Sequence, residues 1–151
     1  MSARAYAQGL LDTNIVILRE WIDPAELPDE MAISAVTLAE LSAGPHLVRS
    51  ARDTPGYAEH EERARRMEVL QRAEAEFDPI PFGPEAARAY GRIVAAVAAV
   101  GRSPRRRVAD QQIAAIALAE DLPLYTTNPD DFVGLAKLIT LVEVTRPAAA
   151  G

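Results

Sequence analysis

Short apolar runs bounded by polar residues and prolines alternate along the chain with longer segments in which apolar positions recur at helical spacing. The short runs predict strands, the first closing at Leu10-Leu11-Asp12-Thr13-Asn14 and the others at 31–34, 77–82, 122–126 and 138–144. The periodic segments predict helices at 15–21, 37–43, 59–76, 84–100 and 108–120, and a short helix that starts at Asn128-Pro129. Strands alternating with helices predict right-handed βαβ units and a parallel sheet.

Composition places the chain among ordinary globular proteins, with 49% hydrophobic and 25% charged residues in 151. We expect one domain over 1–151, with a disordered tail at about 146–151. The absence of cysteine excludes disulfides and thiolate metal sites. No apolar run approaches the roughly 20 residues of a membrane span, and residues 1–9 are too weakly apolar for a signal peptide. These features predict a cytoplasmic protein with no membrane partner.

The net charge of −6 has the wrong sign for a protein that holds nucleic acid by its overall field. A nucleic-acid function therefore needs a metal or a local basic patch, and Arg105-Arg106-Arg107 is such a patch. These arginines either bind RNA backbone phosphates or form a solvated loop, and the sequence leaves both interpretations open.

Carboxylates follow the predicted strands at several junctions with helices. Asp12 ends the first strand, Glu40 lies in the helix after the second, and Asp110 begins the helix after the arginine patch. Asp130 and Asp131 follow the strand at 122–126. Ligands of open α/β sheets bind beyond the carboxyl ends of the strands, so these acids can meet at one edge. Their mutual repulsion would need a cation, and oxygen ligands without cysteine select Mg²⁺ or Mn²⁺.

Each acid also has an ordinary structural interpretation. Asp12 can cap the first helix, and Glu40 can close a capping box with Thr37. Asp110 can pair with an arginine one turn earlier. Asn128-Pro129-Asp130-Asp131 is a typical helix start, with an Asn cap and acids in the first turn.

Taken in order, the acidic segments resemble the motifs of PIN domains. Leu10-Leu11-Asp12-Thr13-Asn14 resembles the hydrophobic-Asp-Thr-Asn/Ser opening of that family. The segment 34–41 is similar to the second motif, with Glu40 as its acid, and 108–115 is similar to the third, with Asp110. The segment 126–132 resembles the Thr-x-Asn-x-x-Asp-Phe element. The resemblance covers the chain from about 10 to 144.

This resemblance implies a PIN-like three-layer α/β/α fold with a mainly parallel central sheet, and a Mg²⁺-dependent endoribonuclease in which Mn²⁺ is a possible substitute. It implies catalytic roles for Asp12, Glu40, Asp110 and Asp131, with Asp12 and Asp110 as the metal ligands. Glu40 would act through water or by orienting the nucleophile. The fourth acidic position stays open among Asn128, Asp130 and Asp131. Residues expected to orient the carboxylates by hydrogen bonds are Thr13, Asn14, Thr126 and Asn128.

The short chain further resembles VapC-type toxins of toxin–antitoxin pairs. That similarity implies an RNA substrate, inhibition by a cognate antitoxin protein, and a homodimer or a toxin–antitoxin hetero-oligomer. We expect the antitoxin to lie in a groove formed by the first helix (Ile15, Val16, Leu18, Trp21) and the segment 45–62.

Two other functions are compatible with parts of the pattern. A phosphoacceptor receiver domain also gathers acids at a sheet edge, but it would need an acidic pair after the first strand and a lysine after the last. Here Asp12 stands alone, and Lys137, the single lysine, lies beyond the Asn128-Pro129 helix start. A PIN-like module that only binds a partner is the second alternative, although none of its three main acids is missing.

Overall fold

A small parallel sheet forms the centre of the computed structural model, which describes residues 6–49 and 58–148. The strands in those ranges are β1 (Gln8–Leu11), β2 (Glu30–Ala32), β3 (Leu124–Thr126) and β4 (Leu141–Glu143). They are arranged in the order β2-β1-β3-β4, and every neighbouring pair is parallel. The prediction of a parallel sheet built from βα units is confirmed.

The helices of the described ranges are α1 (Thr13–Leu18), α2 (Ala35–Ala43), α3 (Glu59–Glu76), α4 (Pro84–Ala99) and α5 (Val108–Glu120). Short 3₁₀ segments cover Arg19–Trp21, Pro24–Glu26, Gly44–Leu47 and Pro129–Phe132. None of the helices described is long and apolar enough to cross a membrane.

Alternating side chains of the central strands divide the core into two halves. Leu10 of β1 and Leu124 of β3 pack with α4 and α5, whereas the next residues, Leu11 and Tyr125, pack with α1, α2 and α3. Successive strand residues point to opposite faces, and all four of these side chains are fully buried. Helices therefore cover both faces of the sheet, which is the three-layer α/β/α arrangement that the sequence predicts.

The strand predicted at 77–82 is wrong. Only Ile80 pairs there, in an isolated parallel bridge with Ser34. Its N–H donates to the carbonyl of Ile33 at 2.9 Å, and its own carbonyl accepts from the N–H of Ala35 at 2.8 Å. Pro79 and Pro81 flank this residue, and because proline has no N–H to donate, the ladder cannot extend in either direction.

Several boundaries also differ from the prediction. β3 begins at Leu124 instead of 122, and β4 spans only Leu141–Glu143 of the predicted 138–144. The N–H groups of Leu138 and Ile139 both donate to the carbonyl of Leu135, which makes this stretch a turn before the strand. Residues 50–57, which precede the predicted helix at 59–76, and the end of the tail, 149–151, lie outside the described residues, so the disordered tail stays a prediction.

Candidate active site

Asp12 lies at the carboxyl end of β1, next to the end of β3, and only 3% of it is exposed. Its N–H donates to the carbonyl of Tyr125 at 2.9 Å, which ties the residue to the neighbouring strand. Its Oδ1 accepts from the N–H of Thr13 at 2.9 Å, and its Oδ2 accepts from Thr126 Oγ1 at 2.8 Å. Both carboxylate oxygens are therefore held in one orientation.

Glu40 is joined to the end of β1 by a chain of hydroxyl groups. Thr13 Oγ1 donates to Glu40 Oε1 at 2.6 Å and lies 3.0 Å from Thr37 Oγ1. Ser34 Oγ donates to Thr37 Oγ1 at 3.4 Å and accepts from the N–H of Thr37. Each hydroxyl has one proton, so Thr37 must donate to Thr13 when Thr13 donates to Glu40. The whole chain then directs its protons toward the carboxylate of Glu40.

Asp110 faces these acids from the first turn of α5. Burial, followed by the charges of Asp12, Asp131 and Glu40, raises the pKa of Asp110 to about 7, against a smaller lowering effect of Arg107. Burial also raises the pKa of Asp12, although its hydrogen bonds from Thr126 and Thr13 oppose the change. Without a cation, the site therefore disfavours full ionisation of its carboxylates.

Asp131 completes the group from the 3₁₀ segment after β3. Its Oδ1 pairs with Arg107 Nη1 at 2.9 Å, and its Oδ2 accepts from Asn128 Nδ2 at 3.0 Å. The side chain of Asp130 is exposed, whereas that of Asp131 is only 10% exposed and its charge acts on both Asp12 and Asp110. Of the candidates for the fourth acidic position, Asp131 is the carboxylate that the fold brings to the other three.

The structure does not join every residue expected at the site to its carboxylates. Asn14 donates no hydrogen bond to any of these carboxylates within the described ranges. Arg105 and Arg106 are exposed on the loop before α5, and Arg107 alone of the three pairs with the acids, at 3.8 Å from Asp110 Oδ2. As the described side chains stand, no three or more His, Cys, Asp or Glu residues are placed to hold one metal ion together.

The ordinary interpretations of the acids hold in part. Asp12 does cap α1, and Asp110 does lie near Arg107. The capping box of Thr37 and Glu40 is wrong, because Ser34 caps α2 and Glu40 accepts from Thr13 instead. Asn128 is not a side-chain cap either, since its amide donates to Asp131.

Sequence reasoning missed the contributions of three residues. Ser34-x-x-Thr37 is a cap signature that would have revealed the start of the hydroxyl chain. Arg107 stands in the left-handed region with φ 53° immediately before α5, and this backbone conformation, which no motif encodes, accompanies its ion pair with Asp131. Gln111, 5% exposed, donates from Nε2 to the carbonyl of Arg106 at 2.6 Å and so fixes the loop 101–107 before α5, here called the arginine loop.

The family model described as "PIN domain" matches residues 10–138. The chain belongs to the PIN domain family. It is 37% identical over 132 residues to a protein of Mycobacterium tuberculosis named Ribonuclease VapC5, a match that covers 85% of this chain and 88% of the relative.

Solved structures agree with this membership. This PIN domain matches VapBC-5 from M. tuberculosis, a member of the VapBC family of toxin–antitoxin systems, with a TM-score of 0.75 and 33% identity over 92% of this chain and 100% of the other. It matches VapBC2 from Rickettsia felis, solved with a promoter DNA fragment, with a TM-score of 0.61 and 20% identity over 91% and 98%. The second match supports the fold alone, and the first confirms the predicted resemblance.

The receiver-domain alternative is wrong. The PIN family model covers the chain from 10 to 138. Lys137 lines a cavity with Tyr6, Leu122 and Thr140, which precede β1, β3 and β4. It therefore lies at the amino end of the sheet, opposite the carboxylates.

Proposed function

We propose that this PIN domain is a divalent-metal-dependent endoribonuclease that hydrolyses RNA phosphodiester bonds as the toxin of a toxin–antitoxin pair. The observation that carries the proposal is the convergence of Asp12, Glu40, Asp110 and Asp131 at the carboxyl end of the sheet, where burial, reinforced by the charges of the other acids, raises the pKa of Asp110 to about 7. Neighbouring carboxylates destabilise one another's ionised forms, and a cation bound among them would compensate their charge. The name of the M. tuberculosis relative supports ribonuclease activity.

The chemistry of the donors fits Mg²⁺, with Mn²⁺ as a substitute. Asp12 and Asp110 would hold the ion, because their oxygens belong to the two partly desolvated carboxylates whose pKa values are raised. Mg²⁺ commonly takes one or two carboxylates and keeps several waters, which agrees with a site that offers no ready cage of three ligands among the described residues. When bound, the ion would activate water and neutralise charge on the phosphodiester.

The remaining residues would position the reaction. Thr126 and the N–H of Thr13 fix the carboxylate of Asp12. Among the described residues, Glu40 is fixed only through Oε1, so its Oε2 would accept a proton from the attacking water. Asp131 would hold Arg107 beside the site, where the guanidinium can bind an RNA phosphate. Arg105 and Arg106 would add phosphate contacts from the same loop.

Single-turnover cleavage of a long single-stranded RNA tests the enzyme. The parent protein should cleave it with Mg²⁺ and not with EDTA. Asp12→Asn and Asp110→Asn should each lower the rate by at least about 10²-fold, because one ligand and one negative charge are lost. Asp78→Asn, at an exposed position outside the site, is the matched control and should cleave at the parent rate.

The outcomes separate the alternatives. Cleavage in EDTA, or full activity of both site variants with circular dichroism unchanged, would contradict the metal-dependent mechanism. A protein that never cleaves RNA but binds its antitoxin would instead be the non-catalytic binding module.

We also propose that the antitoxin docks between the first helix and α3, on a surface smaller than the sequence suggests. Leu18 is only 7% exposed but lines the same cavity as Ile17 and Trp21, as predicted. Ile15 and Val16 belong to the core and are at most 9% exposed, so their predicted role in the groove is wrong. The helical turn directs them at the sheet, and it leaves Ile17 and Trp21 outward, at 42% and 43% exposed. Of the predicted segment 45–62, residues 50–57 lie outside the described ranges.

These two outward residues line a cavity of about 330 Å³. Its other walls include Leu41 and Val69, arginines of α3, and Glu40 of the acidic site. An amphipathic helix with an apolar face would fit such a groove, and because Glu40 lines it, a bound helix would reach the catalytic acids. The VapBC systems to which the fold is similar support this partner.

Trp21 is the only tryptophan, so its fluorescence reports on the groove directly. Adding the cognate antitoxin protein should change that emission and inhibit RNA cleavage, and Trp21→Ala should weaken binding by roughly 10-fold or more, as expected for a buried aromatic anchor. Val100→Ala, at an exposed apolar residue at the end of α4 and outside this cavity, is the matched control. Sedimentation of the toxin and of the mixture tests the expected homodimer and hetero-oligomer.

A further inference from the structure

A second cavity, here called the loop pocket, opens beside the acidic site. Its volume is about 400 Å³, and its walls come from the end of α4, the arginine loop, the start of α5 and the segment after β3. Asp131 and Arg107, which pair with each other at 2.9 Å, line it as well. The pocket and the carboxylates therefore share a wall, and a ligand in the pocket would lie next to whatever the carboxylates act on.

The polar side of the loop pocket combines three arginines and one carboxylate with two neutral side chains: Arg102, Arg106, Arg107, Asp131, Ser103 and Gln111. Arg102 is held in place by donating from Nη1 to the carbonyl of Asp130 at 2.6 Å. The backbone of Arg106 is fixed by Gln111, yet within 6–49 and 58–148 its guanidinium has no hydrogen-bond or ion-pair partner. Arg106 is exposed and therefore offers its donors to a ligand. In a chain of net charge −6, this concentration of arginine selects an anion.

The opposite side is apolar. Val97, Phe132 and Leu135 form its buried part, and Val133 extends the surface outward with 40% of its area exposed. Gly134 supports this edge with φ +91°, and a Cβ there would lie 2.9 Å from Val100 Cγ1. A site that binds phosphate alone would not need an apolar wall. A ligand that carries both an anionic group and a flat apolar surface would contact both sides of the pocket.

We propose that the loop pocket binds one unpaired nucleotide of the RNA strand, adjacent to the phosphodiester bond that the carboxylates would cleave. This inference rests on the proposed function, because the strand is taken to be its substrate. Proteins that read single-stranded RNA place splayed bases against apolar, aromatic or guanidinium surfaces and hydrogen-bond their edges. Arginine meets the O6 and N7 acceptors of guanine particularly well. The volume lies within the range of pockets that enclose small ligands.

Calorimetric or NMR titration with guanosine 5′-monophosphate, ribose 5-phosphate and inorganic phosphate tests the pocket. EDTA is present throughout, so that no metal–phosphate contact contributes. The nucleotide should bind at least about tenfold more tightly than the other two, a difference of about 1.4 kcal/mol. Arg106→Ala and Val133→Asp should each remove most of that advantage. Arg92→Ala, at an exposed arginine of α4 outside the pocket, should leave it intact.

Each result has a separate meaning. Equal binding of guanosine 5′-monophosphate and ribose 5-phosphate, or an unchanged advantage in both pocket variants, would overturn the pocket even if the protein cleaves RNA. Nucleotide binding that depends on Arg106 and Val133, in a protein that cleaves no RNA, would sustain the pocket and overturn the proposed nuclease. Thermal melting of each variant shows that the fold is retained.

Discussion

Local hydrogen bonds and charges make the acids of this site unequal. Asp12 is the most buried, yet Thr13 and Thr126 each donate to one of its oxygens, which favours its ionised form. Within the part of the chain that the structure describes, Asp110 accepts no such hydrogen bond, and burial together with its acidic neighbours raises its pKa to about 7. Burial raises the pKa of both proposed metal ligands, and because that of Asp110 is about 7, a metal that binds near neutral pH must displace a proton from it.

This difference predicts a pH-dependent stability for the metal-free protein. An unfolded aspartate releases its proton near 3.8, whereas folded Asp110 releases it near 7. The raised folded pKa contributes stability at low pH that is lost as pH rises from about 4 to about 7. Asp110→Asn has no such proton. In EDTA, the Tm of this variant minus the Tm of the parent should therefore rise between about pH 4 and pH 7 and stay constant at higher pH. Parallel Tm curves of the two proteins would contradict the raised pKa of Asp110.

The packing of β1 against β3 leaves little space between the backbone of one strand and the side chains of the other. Gly9 of β1 lies under the ring of Tyr125, and a Cβ built at Gly9 would lie 2.4 Å from Tyr125 Cε1. The absence of a side chain here lets the buried tyrosine cross the strand. Because Asp12 follows three residues later and its N–H bonds the carbonyl of Tyr125, this contact also sets the position of the first acid.

Gly9→Ala should therefore destabilise the protein by about 1–3 kcal/mol or more, the usual cost of overpacking a core. Gly91→Ala is the matched control, because nothing lies within 4 Å of its added Cβ and it stands inside α4. That change should stabilise the protein by roughly 0.5–1 kcal/mol, since glycine is unfavourable within a helix. Urea unfolding of both variants measures the difference, and equal effects would show that the approach of β1 to Tyr125 is not tight.

At the scale of the molecule, the charge is unevenly distributed. The net charge of −6 repels RNA, and the acids themselves converge at the proposed cleavage site. The arginine loop lies on one side of these acids and supplies Arg102, Arg106 and Arg107 to the loop pocket. RNA binding should therefore depend on this side of the molecule far more than on arginines elsewhere.

Salt dependence tests that distribution. The binding of single-stranded RNA to the Asp12→Asn protein should weaken as the salt concentration rises. Each lost phosphate contact makes the slope of log K against log salt less steep by about 0.7. Replacing Arg105, Arg106 and Arg107 by Ala should reduce the slope by up to about 2. Replacing the exposed Arg88, Arg92 and Arg146 changes the net charge equally and should leave the slope nearly unchanged. Equal slopes in both triple variants would show that the loop is only a solvated turn.

The sequence by itself determined the order and type of most elements and the set of acids. Helix α3 spans Glu59–Glu76 and α5 spans Val108–Glu120, as predicted, because helical periodicity and end signals act over a few neighbouring residues. The acidic motifs are likewise local, each attached to the end of one strand or the start of one helix. Local patterns therefore specified the parallel sheet and its acidic edge.

Only the tertiary structure decided which partners these residues have. The bond from Thr126 to Asp12 joins positions 114 residues apart, and Asp131 rather than Asp130 faces the site because the turn after β3 directs it toward Arg107. Ile15 and Ile17 share one short helix, and only its docking on the sheet makes the first buried and the second exposed. These features depend on contacts between distant segments, whose geometry no single stretch of sequence contains.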